Sequence, residues 1–317
     1  MTSTSPLRSL IRIERIALRG PGALILTGPS SCGKGEVASA LCDVLSIDPS
    51  HHLSMGVILR ASIERARSDP SFAAMLEERH SLSANASVFD CVDTTHELSQ
   101  KVKRHRIDFE KFLGQAPSGF ISDEVSKPAF VSQLDWLAYC TARGLLIPDR
   151  WTQELIGAEI DRALTDDAAR HEMPIILDGY PRTVAAARHL LAFLESHDVP
   201  VLKVLHLSIS RAEMLQRAGR RQRSNDDAEA LRRRFEFYVE NVQPSVDYLK
   251  MELGGDRIAL IEAHQPAYQL VEGQRVFDLD QSIENVAATA LCALGVPAVI
   301  VRDLLEGRRV ALGTEAG

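Results

Sequence analysis

The feature that most constrains this chain is Gly28-Pro29-Ser30-Ser31-Cys32-Gly33-Lys34-Gly35, which lies between two segments of different periodicity. Ala23–Thr27 is a short apolar run that reads as a buried strand. Lys34–Leu45 places Val37, Ala38, Leu41 and Leu45 at helical spacing. A strand that turns through glycines directly into a helix aims backbone N–H groups at an anion, and the positive end of the helix assists. The glycines permit the backbone angles and the close approach of phosphate. Lys34 can reach the β- and γ-phosphates as a compact charge. Phosphate binding is therefore the expectation, with a purely structural turn as the alternative.

The same alternation recurs downstream. Residues 175–177 and 201–207 read as strands, followed by helices at 184–195 and about 212–217. Alternation of this kind predicts a parallel sheet covered by helices on both faces. Residues 226–251 read as one long helix, bent near Pro244. Strands are expected at 258–261 and 275–279, with a hairpin across Gly273, and a closing helix at 283–294. Helical stretches at 72–79 and 98–112 lie in a region without a catalytic motif.

Composition narrows the classes. With 317 residues and 45% hydrophobic content, the chain can bury a large core. A net charge of -7 argues against general nucleic-acid binding. No apolar run reaches the length of a membrane span. Five scattered Cys fit a reducing compartment, so a cytoplasmic location is expected. Arg8, Arg12, Arg15 and Arg19 leave an organelle-targeting segment as the alternative to an N-terminal amphipathic helix.

Gly35 stands where phosphate-binding loops usually carry a Ser or Thr hydroxyl that helps hold Mg²⁺. Asp178, at the end of a predicted parallel strand, is the candidate to orient the metal through water. Its alternative role is a cap or turn former.

Several segments in order resemble the adenylate kinase family. They are the loop ending Gly33-Lys34-Gly35, Leu53-Ser54-Met55-Gly56-Val57-Ile58-Leu59-Arg60, Gly144-Leu145-Leu146-Ile147-Pro148-Asp149, and Leu177-Asp178-Gly179-Tyr180-Pro181-Arg182-Thr183. Gln216-Arg217 through Arg234 resembles the lid arginines and the helix beyond. The resemblance covers residues 22–60 and 143–250, and weakly 275–294. It implies an α/β P-loop NTPase fold of three layers, with a central parallel sheet flanked by helices. It also implies a short lid at about 217–226; the long helical insertion between Arg60 and Gly144, in the acceptor region, departs from the family, whose members have a short link there. The corresponding domains are an N-terminal extension at 1–20, a core at 21–60 and 143–295, an insertion at 61–142 and a tail at 296–317.

The resemblance further implies an ATP site on Gly28 to Glu36 and Arg217, the last lying over the adenine. It implies an acceptor site on Ser54, Arg60, Leu146, Ile147, Gly179 and Arg182, for a nucleoside monophosphate. Lys34, Asp178, Arg182, Arg221, Arg223 and Arg234 are the implied catalytic set. Mg²⁺ and ATP are the expected cofactor and co-substrate. Nucleic acid and membrane are not expected partners, and 61–142 could bind a protein. An acceptor that is already anionic needs no general base, so alignment and charge stabilisation suffice.

The sequence departs from the family at several points. Glu36 replaces a Thr beside the α-phosphate. Met55 and Val57 replace the usual Thr and Asp. Ala186 replaces the Gln that reads adenine, which removes the reason to assume AMP. Only Gln222 separates Arg221 from Arg223, which leaves no room for a zinc-binding lid. Two alternatives stay open: a P-loop kinase of another small acceptor, and a nucleotide-binding pseudoenzyme with a regulatory or scaffold role.

Overall fold

The computed structural model describes residues 16–18, 20–80, 82–83, 85–90, 95–114, 131–165, 173–221 and 228–305. Among them, five strands form one parallel sheet in the order β2-β3-β1-β4-β5. These are β1 (Ala23–Thr27), β2 (His52–Ser54), β3 (Ile175–Asp178), β4 (Val201–Ser208) and β5 (Ile258–Glu262). The alternation along β1 decides which layer each side chain joins. Ala23 and Ile25 enter one buried cluster, whereas Leu24 and Leu26 enter another on the opposite face. Both faces are covered, so the strands read as continuous apolar runs.

One face carries α1 (Lys34–Leu45) and α11 (Leu279–Ala293). The other carries α2 (Met55–Ser68), α5 (Gln133–Arg143), α6 (Asp149–Thr165), α7 (Val184–Ser196) and α10 (Gln243–Leu253). The remaining helices are α3 (Pro70–His80), α4 (Thr95–Phe112), α8 (Arg211–Arg221) and α9 (Ala228–Phe237). The chain is thus the three-layer α/β fold that the alternating pattern predicts.

The described residues of 61–142 join the main core. Helix α2 runs unbroken through residue 60. Leu76, Phe109, Trp136 and Tyr139 belong to the same buried cluster as Ile25 and Leu177. Phe109 packs edge-on against Trp136 and Tyr139, with ring centroids 5.6 and 5.3 Å apart. Such pairs add to the burial of the rings themselves.

Three expectations change. The strand at 258–261 is the fifth strand of the main sheet, and the hairpin across Gly273 joins β6 (Ala267–Val271) to β7 (Gln274–Asp278). Glu272 and Gly273 both have positive φ, the geometry of a two-residue hairpin turn. The long helix at 226–251 is divided into α9 and α10 by a π-helical turn, Tyr238–Val242. The turn lies just ahead of Pro244, whose ring crowds the carbonyl four residues back and whose nitrogen cannot donate. Finally, 298–305 of the expected tail form a further helix, α12, with Val301, Leu304 and Leu305 buried beneath α1 and α11. The expected N-terminal helix falls on residues outside those described.

Candidate active site

The carboxyl ends of β1 and β3 meet the start of α1, where open parallel sheets bind ligands. The loop after β1 takes left-handed or extended positive φ at Gly28 (145°), Ser31 (61°) and Gly33 (93°). Gly28 is required on two grounds. A Cβ there would sit 2.4 Å from the Leu207 carbonyl oxygen, at a φ that side chains disfavour. Lys34 curls back over the loop, its Nζ donating to the carbonyls of Gly28 at 3.0 Å and Pro29 at 2.8 Å. Cys32 Sγ lies 3.7 Å from the same Nζ, and burial pushes the thiol pKa up despite the ammonium. The loop cysteine is therefore a neutral packing group, not a thiolate.

Asp178 ends β3 in register with Ser54 of β2 and Leu26 of β1. His52 Nε2 stands 3.5 Å from Asp178 Oδ2. Burial acts to raise the Asp178 pKa. The His52 imidazole, the Lys34 ammonium and the Ser54 hydroxyl more than offset it, and the carboxyl is held below its ordinary range. A Cβ on Gly35 would lie 3.8 Å from Asp178 Oδ2. Asp178 thus lies against the start of α1.

Arg182 folds over the turn after β3, its Nε donating to the Gly179 carbonyl at 2.8 Å. A Cβ at Gly179 would lie 3.4 Å from this guanidinium and 3.9 Å from Lys34 Cε, so the three groups are neighbours. Burial lowers the Arg182 pKa and the Asp178 charge counters it, yet the starting value is so high that the guanidinium stays charged. Thr183 caps α7 by accepting from Ala186 N at 3.0 Å. Its hydroxyl also donates to Asp149 Oδ1 at 2.8 Å. That bond ties the Gly144–Asp149 turn to the Asp178–Thr183 turn, which the sequence motifs quoted separately.

Arg234 reaches the loop from α9 and lines one pocket with Lys34, Gly28 and Arg182. Its Nε would meet a Gly144 Cβ at 3.0 Å, so the glycine makes room for it. Arg217 is fixed from α8 by Glu213 Oε1 at 3.1 Å and the Ala263 carbonyl at 2.9 Å. A Cβ added at Gly33 would lie 4.0 Å from this guanidinium, which places Arg217 near the loop. Glu36 is exposed on the first turn of α1. Arg60 is exposed on α2, near Gly56. The side chain of Arg221, and all of Arg223, lie outside the described residues.

Leu59, Leu146, Ile147 and Ala186 bound a narrow apolar slot beside Arg182. Val57 is exposed and does not line it. Two participants lacked a strong sequence signal. His52 opens a strand of only three residues and lies outside every motif. Tyr238 lines the phosphate pocket because the π-helical turn carries it there. Its hydroxyl donates to Gln243 Oε1 at 2.9 Å and lies 2.7 Å from His206 Nε2.

Residues 135–253 match the family model described as Adenylate kinase. An adenylate kinase of Mycolicibacterium paratuberculosis is 30% identical over 152 residues, covering 48% of this chain and 69% of that protein. An adenylate kinase of Mycolicibacterium smegmatis is 34% identical over 110 residues, covering 35% of this chain and 58% of that protein. A gluconokinase from Sinorhizobium meliloti 1021 overlays 87% of this chain and 93% of its own at 13% identity, with a TM-score of 0.36, too slight a likeness to support a structural argument.

Proposed function

Because this chain belongs to the adenylate kinase family, we propose that it reversibly transfers the γ-phosphoryl group of Mg-ATP to a nucleoside monophosphate. The observation that carries this reading is the gathering of Lys34, Arg182 and Arg234 around one pocket at the glycine loop, with Asp178 beside it. An oxygen of the acceptor phosphate attacks the γ-phosphorus in line. The bond to the β,γ-bridging oxygen breaks as the new P–O bond forms, giving ADP and a nucleoside diphosphate. No proton needs to move, because the attacking oxygen is already anionic.

The chain's own groups do two things in this step. Guanidinium forks align the two phosphates, and fixed positive charge offsets their repulsion. Lys34 is the donor-side charge, Arg182 the acceptor-side charge, and Arg234 faces the same pocket. Arg217, fixed by Glu213 and Ala263, covers the adenine of ATP. Ser54 approaches the acceptor from the end of β2 and Arg60 from α2. Arg221 and Arg223 are assigned to the transferring group by resemblance alone.

The ionised Asp178 fits Mg²⁺ held through water, and the family uses ATP with Mg²⁺. Mg²⁺ characteristically keeps most of its waters and takes one or two carboxylates plus phosphate oxygens. When bound it offsets the charge of the β- and γ-phosphates.

A second reading deserves a test because His52 stands beside Asp178. A hydroxyl acceptor would need a general base there. The depressed pKa of Asp178 makes it a weak base at neutral pH, which favours the anionic acceptor. The apolar slot with Ala186 offers no amide to read adenine, so the acceptor base is not assigned to AMP. Among the described residues no helix is long and apolar enough to cross a membrane.

The test is a coupled ADP-release assay with ATP, Mg²⁺ and each nucleoside monophosphate in turn. Turnover with at least one monophosphate is expected. ATP binding without turnover on any of them would overturn the reading in favour of a pseudoenzyme.

A further inference from the structure

Two openings are lined in part by α2, and they differ in size and chemistry. The apolar slot bounded by Leu59, Ile147 and Ala186 encloses about 20 Å³, roughly the room one water needs. Beside it lies a cavity of about 750 Å³, within the range that holds small-molecule ligands.

The two openings use different faces of α2. Met55 and Leu59 line the slot. Arg60, Ile63, Glu64 and Arg67 line the cavity at i, i+3, i+4 and i+7, which is a single stripe. At 1.5 Å per residue, Arg60 and Arg67 stand about 10 Å apart along the helix axis. Flexible side chains of that length can grip two anions on one small molecule. Arg234 reaches the same cavity from α9, so three guanidiniums face one carboxylate, that of Glu64.

The inserted region builds the opposite wall. Phe112 of α4 lines the cavity, and so do Ala138 and Thr141 of α5. Lys101 of α4 donates to the Leu146 carbonyl at 3.3 Å, tying this wall to the acceptor turn. Arg67 is steadied by Asp135, with NH2 3.2 Å from Oδ1. Asp135 also accepts from the Ser132 hydroxyl at 2.9 Å and lies in the first turn of α5, where the helix end draws on its charge. The pair orients Arg67, whose guanidinium carries further N–H donors for an anion.

We propose that this cavity is a second acceptor subsite and that the preferred acceptor is a nucleotide carrying a second anionic group. The phosphate that is phosphorylated lies between Arg60, Arg182 and Arg234, and the second anion lies at Arg67. The sugar or base rests against Phe112. The proposal rests on the phosphate-acceptor reading above and gives the insertion a role in selecting substrate.

The test is isothermal titration of the full chain with the donor site filled by Mg²⁺ and a non-hydrolysable ATP analogue. The probes are adenosine 5′-monophosphate and adenosine 3′,5′-bisphosphate, then the matching uridine pair. For at least one base, the bisphosphate is expected to bind at least tenfold tighter. In Arg67→Ala that ratio is expected to fall toward one, and Arg67→Lys is expected to keep part of it. A thermal melt within a few degrees of the parent confirms that each variant is folded. Equal affinities within both pairs, or a ratio that Arg67→Ala leaves intact, would overturn the second subsite while leaving the monophosphate acceptor standing. If no acceptor nucleotide binds while the ATP analogue does, the acceptor reading itself fails.

Discussion

Lys34 and His206 show how single groups set what the site can do. Lys34 is held by loop carbonyls at 2.8 and 3.0 Å, in position to exchange those partners for phosphate oxygens. Lys34→Ala should lower kcat/KM for ATP at least 100-fold, about 3 kcal/mol of transition-state stabilisation, with little change in the melting temperature. Steady-state kinetics beside a thermal melt check this. His206 is buried in β4, and burial lowers its pKa below the ordinary value of about 6.5. Below that value the unfolded chain takes up the proton more readily than the folded one. The contribution of His206 to stability is therefore present above about pH 6.5 and lost as pH falls through its folded pKa. His206→Gln keeps a partner for Tyr238 and removes the titration. Urea midpoints at pH 7.5 and pH 5 should differ less in this variant than in the parent, and equal differences would contradict the assignment. The motif residues were legible because their chemistry is local. Lys34, Asp178 and Arg182 each sit inside a short signature whose backbone context the sequence also predicts. His52 was not legible, because its meaning comes from the register of β2 beside β3, a pairing across more than a hundred residues.

Among the elements, the π-helical turn between α9 and α10 matters most to the site. It brings Tyr238, four residues past Arg234, into the phosphate pocket and ties it to His206 and Gln243. Burial pushes the Tyr238 pKa up to about 12, so the hydroxyl stays protonated and can donate. Tyr238→Phe should lower kcat several-fold by loosening the helix that carries Arg234, with KM for ATP changed less. An unchanged kcat would show that the turn serves packing alone. Pro244 announced a bend but not its form. The sequence pattern also could not separate β5 from the hairpin, because β5 and β7 are equally short. What decides is that Ile261 is buried on the main sheet, whereas β6 and β7 are largely exposed. The α12 helix went unrecognised because no Ser, Thr, Asp or Asn stands just ahead of 298 to mark its start. Its place in the core predicts a cost: Leu304→Ala should destabilise the fold by about 2–5 kcal/mol in urea unfolding.

At the scale of the whole molecule, one parallel sheet holds the phosphate loop, Asp178 and the acceptor strand at its carboxyl edge, while 61–142 adds a wall that shares the same core. Trp136 of the inserted region and Trp151 of α6 are both fully buried in that cluster. Unfolding by urea should therefore give coincident transitions by tryptophan fluorescence and far-UV circular dichroism. A separate early fluorescence transition would mean that the insertion folds as its own unit. The central claim is that this architecture moves a phosphoryl group between two nucleotides. The most direct measurement follows the γ-phosphoryl of labelled ATP in the presence of Mg²⁺ and each nucleoside monophosphate. The predicted result is label in the corresponding nucleoside diphosphate, lost in Lys34→Ala. Label released only as inorganic phosphate, or retained in ATP with every monophosphate, would contradict it.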